Sequence, residues 1–144
     1  MKIEQIIVIL ENKADRLLEA INLLAQSCIN IRALSLSDDR DRRILLRLIV
    51  NDRGKAKNIL NEHGFTLTAS EVLVIEVPDK PGGLASVLER LQGSDLEIEY
   101  MYAFSQKSGE SGLLIFRFND PDKAVQLLSK TGVRILSEEE LYAL

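Results

Sequence analysis

Residues 44–64 read ILLRLIVNDRGKAKNILNEHG, and residues 112–132 read GLLIFRFNDPDKAVQLLSKTG. Laid over each other at an offset of 68, they place Leu45-Leu46 on Leu113-Leu114, Asn51-Asp52 on Asn119-Asp120 and Lys55-Ala56 on Lys123-Ala124. Leu60 falls on Leu128 and Gly64 on Gly132. Ordered matches that include Asn-Asp, Lys-Ala and Gly are not the chance overlap of common apolar residues. They mark an internal repeat. Toward the N-terminus the offset is 67, with Leu17 on Leu84, Leu24 on Leu91, Ser27 on Ser94, Ile31 on Ile98 and Lys13 on Lys80. One extra residue therefore sits between positions 98 and 112. That stretch holds Lys107-Ser108-Gly109-Glu110-Ser111, a turn-rich segment where an insertion is tolerated.

Each repeat has the same order of elements. In the first, Ile3 to Leu10 is rich in β-branched residues and predicts a strand. Asp15 to Ser27 predicts a helix, with Leu17, Ile21, Leu24 and the following Cys28 at helical spacing. Ile29 to Leu36 and Ile44 to Val50 predict two further strands around the charged turn at residues 38–43. Asn51-Asp52 then starts a helix, because an Asp side chain can accept a bond from an orphan N–H. That helix stops at Gly64, and Phe65 to Thr68 is a short last strand.

The second repeat follows suit: strand Glu71 to Val77, helix Gly82 to Leu91, hairpin strands Glu97 to Phe104 and Gly112 to Phe118. Asp120-Pro121 opens a helix that Gly132 ends, and Val133 to Leu136 closes the sheet. Ser137 and Glu140 have capping-box spacing for a short terminal helix. The expected fold class is thus α+β, a ferredoxin-like βαββαβ unit repeated twice. The expected boundaries are 1–69, 70–136 and a tail at 137–144.

Composition bounds the function. The chain has 144 residues, 46% hydrophobic and 28% charged, with a net charge of −4. This is enough to bury an ordinary core without a staple. Residues 1–69 carry +2 and residues 70–144 carry −6, so two halves of opposite sign hide behind the modest total. No basic run supplies the footprint of a phosphate-backbone binder, so nucleic acid is not an expected partner. The one cysteine, Cys28, and one histidine, His63, cannot build a His/Cys zinc site or an internal disulfide within the chain. No cofactor is expected. No apolar run reaches the length of a membrane span, and the N-terminus does not read as a signal peptide. The expected setting is cytoplasmic.

Several strands are apolar on both faces. Ile44, Leu46, Leu48 and Val50 alternate with Leu45 and Ile49, and residues 72–77 are broken only by Glu76. A helix-free face of that kind would be a large exposed patch, so it is expected to be covered, most simply by the same face of another chain. Shielding by the C-terminal tail is the other option.

Two loops between first strand and first helix are the candidate sites. The second, Val77-Pro78-Asp79-Lys80-Pro81-Gly82-Gly83-Leu84, brings two glycines to a helix start, where backbone N–H groups and the helix dipole favour a carboxylate or phosphate. Lys80 adds charge. A plain turn is the alternative for these glycines. The first loop, Glu11-Asn12-Lys13-Ala14-Asp15-Arg16-Leu17, has no glycine, and Asp15 is expected to cap its own helix.

These segments, with Cys28-Ile29-Asn30-Ile31-Arg32-Ala33-Leu34, Glu99-Tyr100-Met101-Tyr102-Ala103-Phe104 and residues 119–124, resemble the ACT domain family. The chain is similar to the stand-alone group with two ACT units and no attached enzyme. The family pattern of an acidic or Asn residue, then Lys-Pro-Gly, a small or basic residue and Leu is kept at residues 79–84. The first loop has Ala14-Asp15 in place of Pro-Gly. The resemblance implies units paired side by side into an eight-stranded antiparallel sheet with helices on one face. It also implies a small ligand, usually an amino acid, at the junction between units. The binding residues it implies are Asn12, Lys13, Asp79, Lys80, Pro81, Gly82, Gly83 and Leu84 from the loops. Ile31, Arg32, Ala33, Ile98, Glu99 and Tyr100 are implied from the strands.

The expected function is that of a non-enzymatic regulatory protein, homodimeric through its apolar sheet face, that binds an amino acid and acts on a metabolic enzyme. A ligand-free module that only scaffolds such an enzyme is the alternative. A small enzyme on the same sheet is the third reading, disfavoured because no nucleophile–base pair or clustered carboxylates at site-like spacing occur.

Overall fold

The computed structural model describes residues 1–104 and 109–144. Lys107 and Ser108 of the insertion segment lie outside the described residues. Strands β1 (Ile3–Glu11), β2 (Ile31–Asp38), β3 (Arg43–Val50), β4 (Thr66–Pro78), β5 (Ile98–Ala103) and β6 (Ser111–Phe118) alternate with five helices. These are α1 (Ala14–Gln26), α2 (Arg53–Glu62), α3 (Gly83–Glu89), α4 (Pro121–Lys130) and α5 (Glu138–Tyr142). Six strands are hydrogen-bonded in the order β2-β3-β1-β4-β6-β5. The chain divides into two compact units, Glu4–Ser70 and Met1–Ile3 with Glu71–Leu144.

The expected eight strands are six for two local reasons. Thr68-Ala69-Ser70 contains no Gly, Pro, Asn or Asp, and the strands on either side of it run on as the single strand β4. At the far end, Val133 to Leu136 makes only an isolated bridge, Ile135 to Ile75, flanked by Glu76 N donating to Arg134 O and Leu136 N to Val74 O.

In the unit Glu4–Ser70, β1 and β2 both pair antiparallel with β3. Val8, Leu46, Leu48 and Ile6 pack with Ala20 and Leu24 of α1 and Ala56 and Leu60 of α2. In the other unit, β4 and β5 pair antiparallel with β6, and Leu73, Ile75, Phe116 and Phe118 pack with Val87, Ala124 and Leu128. The same strand and helix positions fill both cores, as the repeat requires.

The Asn-Asp dipeptide does two jobs in each unit. Asp52 Oδ1 accepts from Lys55 N and Asp120 Oδ1 from Lys123 N, both at 3.1 Å, capping α2 and α4. The preceding Asn51 accepts from Asn30 N at 3.0 Å, and Asn119 from Glu97 N at 2.9 Å, tying the entry of β2 or β5 to the end of its neighbour. Ser137 and Glu140 form the expected capping box on α5.

Part of the helix-free face is buried. Ile49, Val72, Val74, Leu113 and Ile115 are all buried within the single chain. Ile7, Ile9 and Leu45, on the same face of the first unit, are half-buried. In the second unit the C-terminal segment contributes to the cover. Arg134 bridges Glu76, on that face, to Glu140 of α5, and Leu136 and Leu141 are buried.

Candidate functional site

The β4–α3 turn is the best-built candidate. Pro78 ends β4, and its carbonyl accepts from Lys80 N at 3.0 Å. Lys80 O in turn accepts from Gly83 N at 3.0 Å. Gly82 sits at φ 83°, ψ −5°, the left-handed conformation that a side chain disfavours. Gly83 is needed for a different reason: a Cβ there would lie 1.9 Å from Pro78 O. One glycine is required by conformation and the other by contact. Ser86 Oγ closes the start of α3 by donating to Gly83 O at 2.7 Å.

A cavity of about 450 Å³ opens beside this turn. Asp79, Lys80, Pro81 and Leu84 line it together with Val77, Gly112 and Leu114. A neighbouring cavity of about 470 Å³ shares Asp79 and Lys80 and adds Glu110 and Ser111. The lining combines an ammonium and a carboxylate with an apolar wall, a combination that can hold a small zwitterion. Val77, Gly112 and Leu114 are not among the sequence-derived candidates. Their signal is topological: β6 pairs with β4, setting Gly112 opposite Val77. α3 spans only seven residues, shorter than the helix expected over 82–91, so its dipole adds little.

The first loop is built differently. Asp15 does not cap α1, whose N-cap is Lys13 with no side-chain hydrogen bond; Asp15 lies in the first turn. Asn12 N donates to Arg42 O at 2.7 Å, and Lys13 pairs with Glu11 at 3.4 Å. The cavity alongside α1 runs past Asp15, Leu18 and Asn22, not past Asn12 or Lys13. Arg16, equivalent to Gly83, stacks over the Phe65 ring at 3.9 Å.

The strand candidates divide. Ile98 lines a groove with Leu88, Leu91 and Leu96 rather than the loop cavity. Glu99 lies 3.4 Å from Arg117, and Tyr100 is half-buried. In the other unit, Ile31 and Arg32 are half-buried and Ala33 is buried, with a register break between Ile31 and Ala33. Among the described residues no cluster of His, Cys, Asp or Glu could hold a metal, and no helix is long and apolar enough to cross a membrane.

Two similar units, each an antiparallel sheet with helices packed on one face, define a duplicated α+β module. The model of the ACT domain pair family matches residues 1–144, and the chain belongs to that family. Protein BT0572 from Bacteroides thetaiotaomicron is 35% identical, with a TM-score of 0.90 over 100% of this chain and 98% of that one. The ligand-free regulatory subunit of aspartate kinase from Thermus thermophilus is 13% identical, with a TM-score of 0.60 over 88% of this chain and 90% of that one. Aspartokinase III from E. coli, in complex with lysine and aspartate, is 15% identical at a TM-score of 0.52, over 90% of this chain and 30% of that one. At those lower identities the likeness is one of fold. No curated protein matches the sequence.

Proposed function

We propose that this chain is a non-enzymatic regulatory protein that binds a small amino acid at the β4–α3 turn. The observation that carries the reading is the turn itself. Gly82 and Gly83 let the chain turn tightly against Pro78, and the turn sets Lys80 and Asp79 on the rim of a cavity of about 450 Å³. Lys80 meets the ligand carboxylate and Asp79 its ammonium, while Val77, Pro81 and Leu84 meet its side chain. Membership of the ACT domain pair family supports the regulatory class. In this reading Asn12 and Lys13 contribute least. The setting is cytoplasmic, and the output is a change in the activity of a partner enzyme. That change is no larger than the ligand's difference in affinity between two states of the chain.

Titration calorimetry against a panel of the common amino acids tests this. One or a few should bind and raise the melting temperature. Gly82→Asp adds a carboxylate where nothing lies within 4 Å, at a left-handed φ, so it should weaken binding by charge and by strain in the turn, and Gly82→Asn, which carries the strain without the charge, should weaken it less. Absence of heat and of thermal shift across the panel sinks the reading and leaves the scaffolding alternative.

A further inference from the structure

Gly112 lies in β6 with no local reason to be a glycine. Its backbone is not left-handed. It faces Val77 in regular register, with Leu113 facing Glu76 and Ser111 facing Pro78, so no bulge sits there. A Cβ at this position would meet, among the described residues, only Val77 O at 3.8 Å, an ordinary contact. A glycine inside a strand weakens it. Where it serves neither a bulge nor a bend, it marks a place that another backbone or a ligand approaches closely. No other backbone here comes near enough to require it.

The first repeat shows what the position can hold. Gly112 falls on Ile44 at the offset of 68, and Val77 falls on Leu10 at the offset of 67. Leu10 and Ile44 are cross-strand partners, as Val77 and Gly112 are. Both belong to the helix-side core of the first unit, with Ile44 only 3% exposed. In the second unit the same place is short by a whole isoleucine side chain and by one carbon of the leucine. Its neighbours are uncovered to match. Leu46 is fully buried, whereas its equivalent Leu114 is half-buried. Leu17 is half-buried, whereas its equivalent Leu84 is 37% exposed. Val77, Leu84, Gly112 and Leu114 all line the cavity of about 450 Å³ beside the β4–α3 turn. That cavity includes the space that an isoleucine fills in the other repeat.

We infer that Gly112 sets the specificity of the β4–α3 site, because the hollow it leaves admits the branched aliphatic side chain of leucine, isoleucine or valine. The inference rests on the reading of that turn as an amino-acid site and names the class of amino acid. Beyond Lys80 and Asp79 the lining is apolar. A charged side chain would find no partner in the hollow and would lose its hydration there. A branched aliphatic one takes the place of the missing isoleucine and removes Leu84 and Leu114 from water.

Calorimetry on the full chain against the common amino acids tests this. Leucine, isoleucine or valine should bind about tenfold or more tightly than alanine, as the extra methylenes enter an apolar pocket. Gly112→Ala should weaken the tightest of these by about tenfold and alanine by less. Gly112→Ile, which restores the residue of the first repeat, should abolish binding of all three. Melting without ligand separates this from misfolding: Gly112→Ala should raise Tm, since alanine suits a strand better than glycine. A preference for any other amino acid, an aliphatic ligand indifferent to both substitutions, or a Gly112→Ala chain that melts lower would each overturn the inference and leave the turn as an amino-acid site. Binding of no amino acid at all would overturn both.

Discussion

Replacing Gly83 by alanine isolates the contact that shapes the β4–α3 turn. The added Cβ would lie 1.9 Å from Pro78 O and 2.9 Å from Pro78 C. Ordinary carbon–oxygen contact is about 3.3 Å, so one side must retreat by about 1.4 Å. The obstacle is backbone, not the end of a flexible side chain. Pro78 O is held by Lys80 N, and the next residue is held by Asp79 N donating to Glu110 O at 3.2 Å. Opening the turn gives up one or two hydrogen bonds, about 0.5–1.5 kcal/mol each, and overpacking adds about 1–3 kcal/mol. The reduced entropy of the unfolded chain offsets about 0.4–1 kcal/mol. The net expectation is a loss of about 2–4 kcal/mol, or roughly 5–12 °C in Tm at this chain length. Gly82→Ala is the control. It meets nothing within 4 Å and loses only the left-handed penalty of about 1–2 kcal/mol, less the same entropic gain. Urea denaturation followed by circular dichroism gives both values. If Gly83→Ala is no more destabilising than Gly82→Ala, contact with Pro78 is not what demands the second glycine.

Three other outcomes follow from the packing and charges. Asp52→Ala and Asp120→Ala should each cost about 1 kcal/mol, since both remove the same N-cap bond; unequal losses in urea denaturation would argue that the two repeats do not share the device. Ser70→Ala removes the hydroxyl that accepts from the fully buried Gln5 Nε2 at 2.8 Å and should cost about 1–3 kcal/mol, measurable by the same denaturation. The Arg134 guanidinium holds the Glu140 carboxyl below its ordinary value of 4.5. A depressed acid contributes stability above its unfolded pKa and loses it as pH falls through the folded pKa. Arg134→Gln should therefore move the Glu140 titration toward its ordinary range, seen by NMR, while the bonds from Ser137 keep part of the lowering, and it should flatten that part of the acid-side loss of stability.

Much of the fold was legible because it rests on local chemistry written twice. Asn-Asp announced the entry to α2 and α4, Gly64 and Gly132 their ends, and Ser137 with Glu140 the capping box of α5. The joining of two strands into β4 was not legible as an event. Thr68-Ala69-Ser70 breaks the apolar pattern, which reads as a connection, yet nothing in it bends the chain. The burial of part of the helix-free face was equally hidden, because Val72 and Val74 say that they are apolar but not what covers them. In the candidate site, residues 79–84 were readable from the two glycines. The wall from Gly112 and Leu114 was not, since it depends on the register of β6 against β4. Asp15 misled because an acid near a helix start is common both at the cap and in the first turn, and only geometry separates the two.

The close approach of Gly83 to Pro78 bears on how many ligands one chain can carry. At the matching place in the first repeat stands Arg16, committed to the Phe65 ring and to Glu19. A side chain there cannot coexist with the backbone path that Gly83 takes, so the two copies of the loop no longer have interchangeable shapes. Of the two turns, the second keeps the adjacent glycines and the first does not. The expected stoichiometry in a titration is therefore one equivalent per chain, half the number of its units.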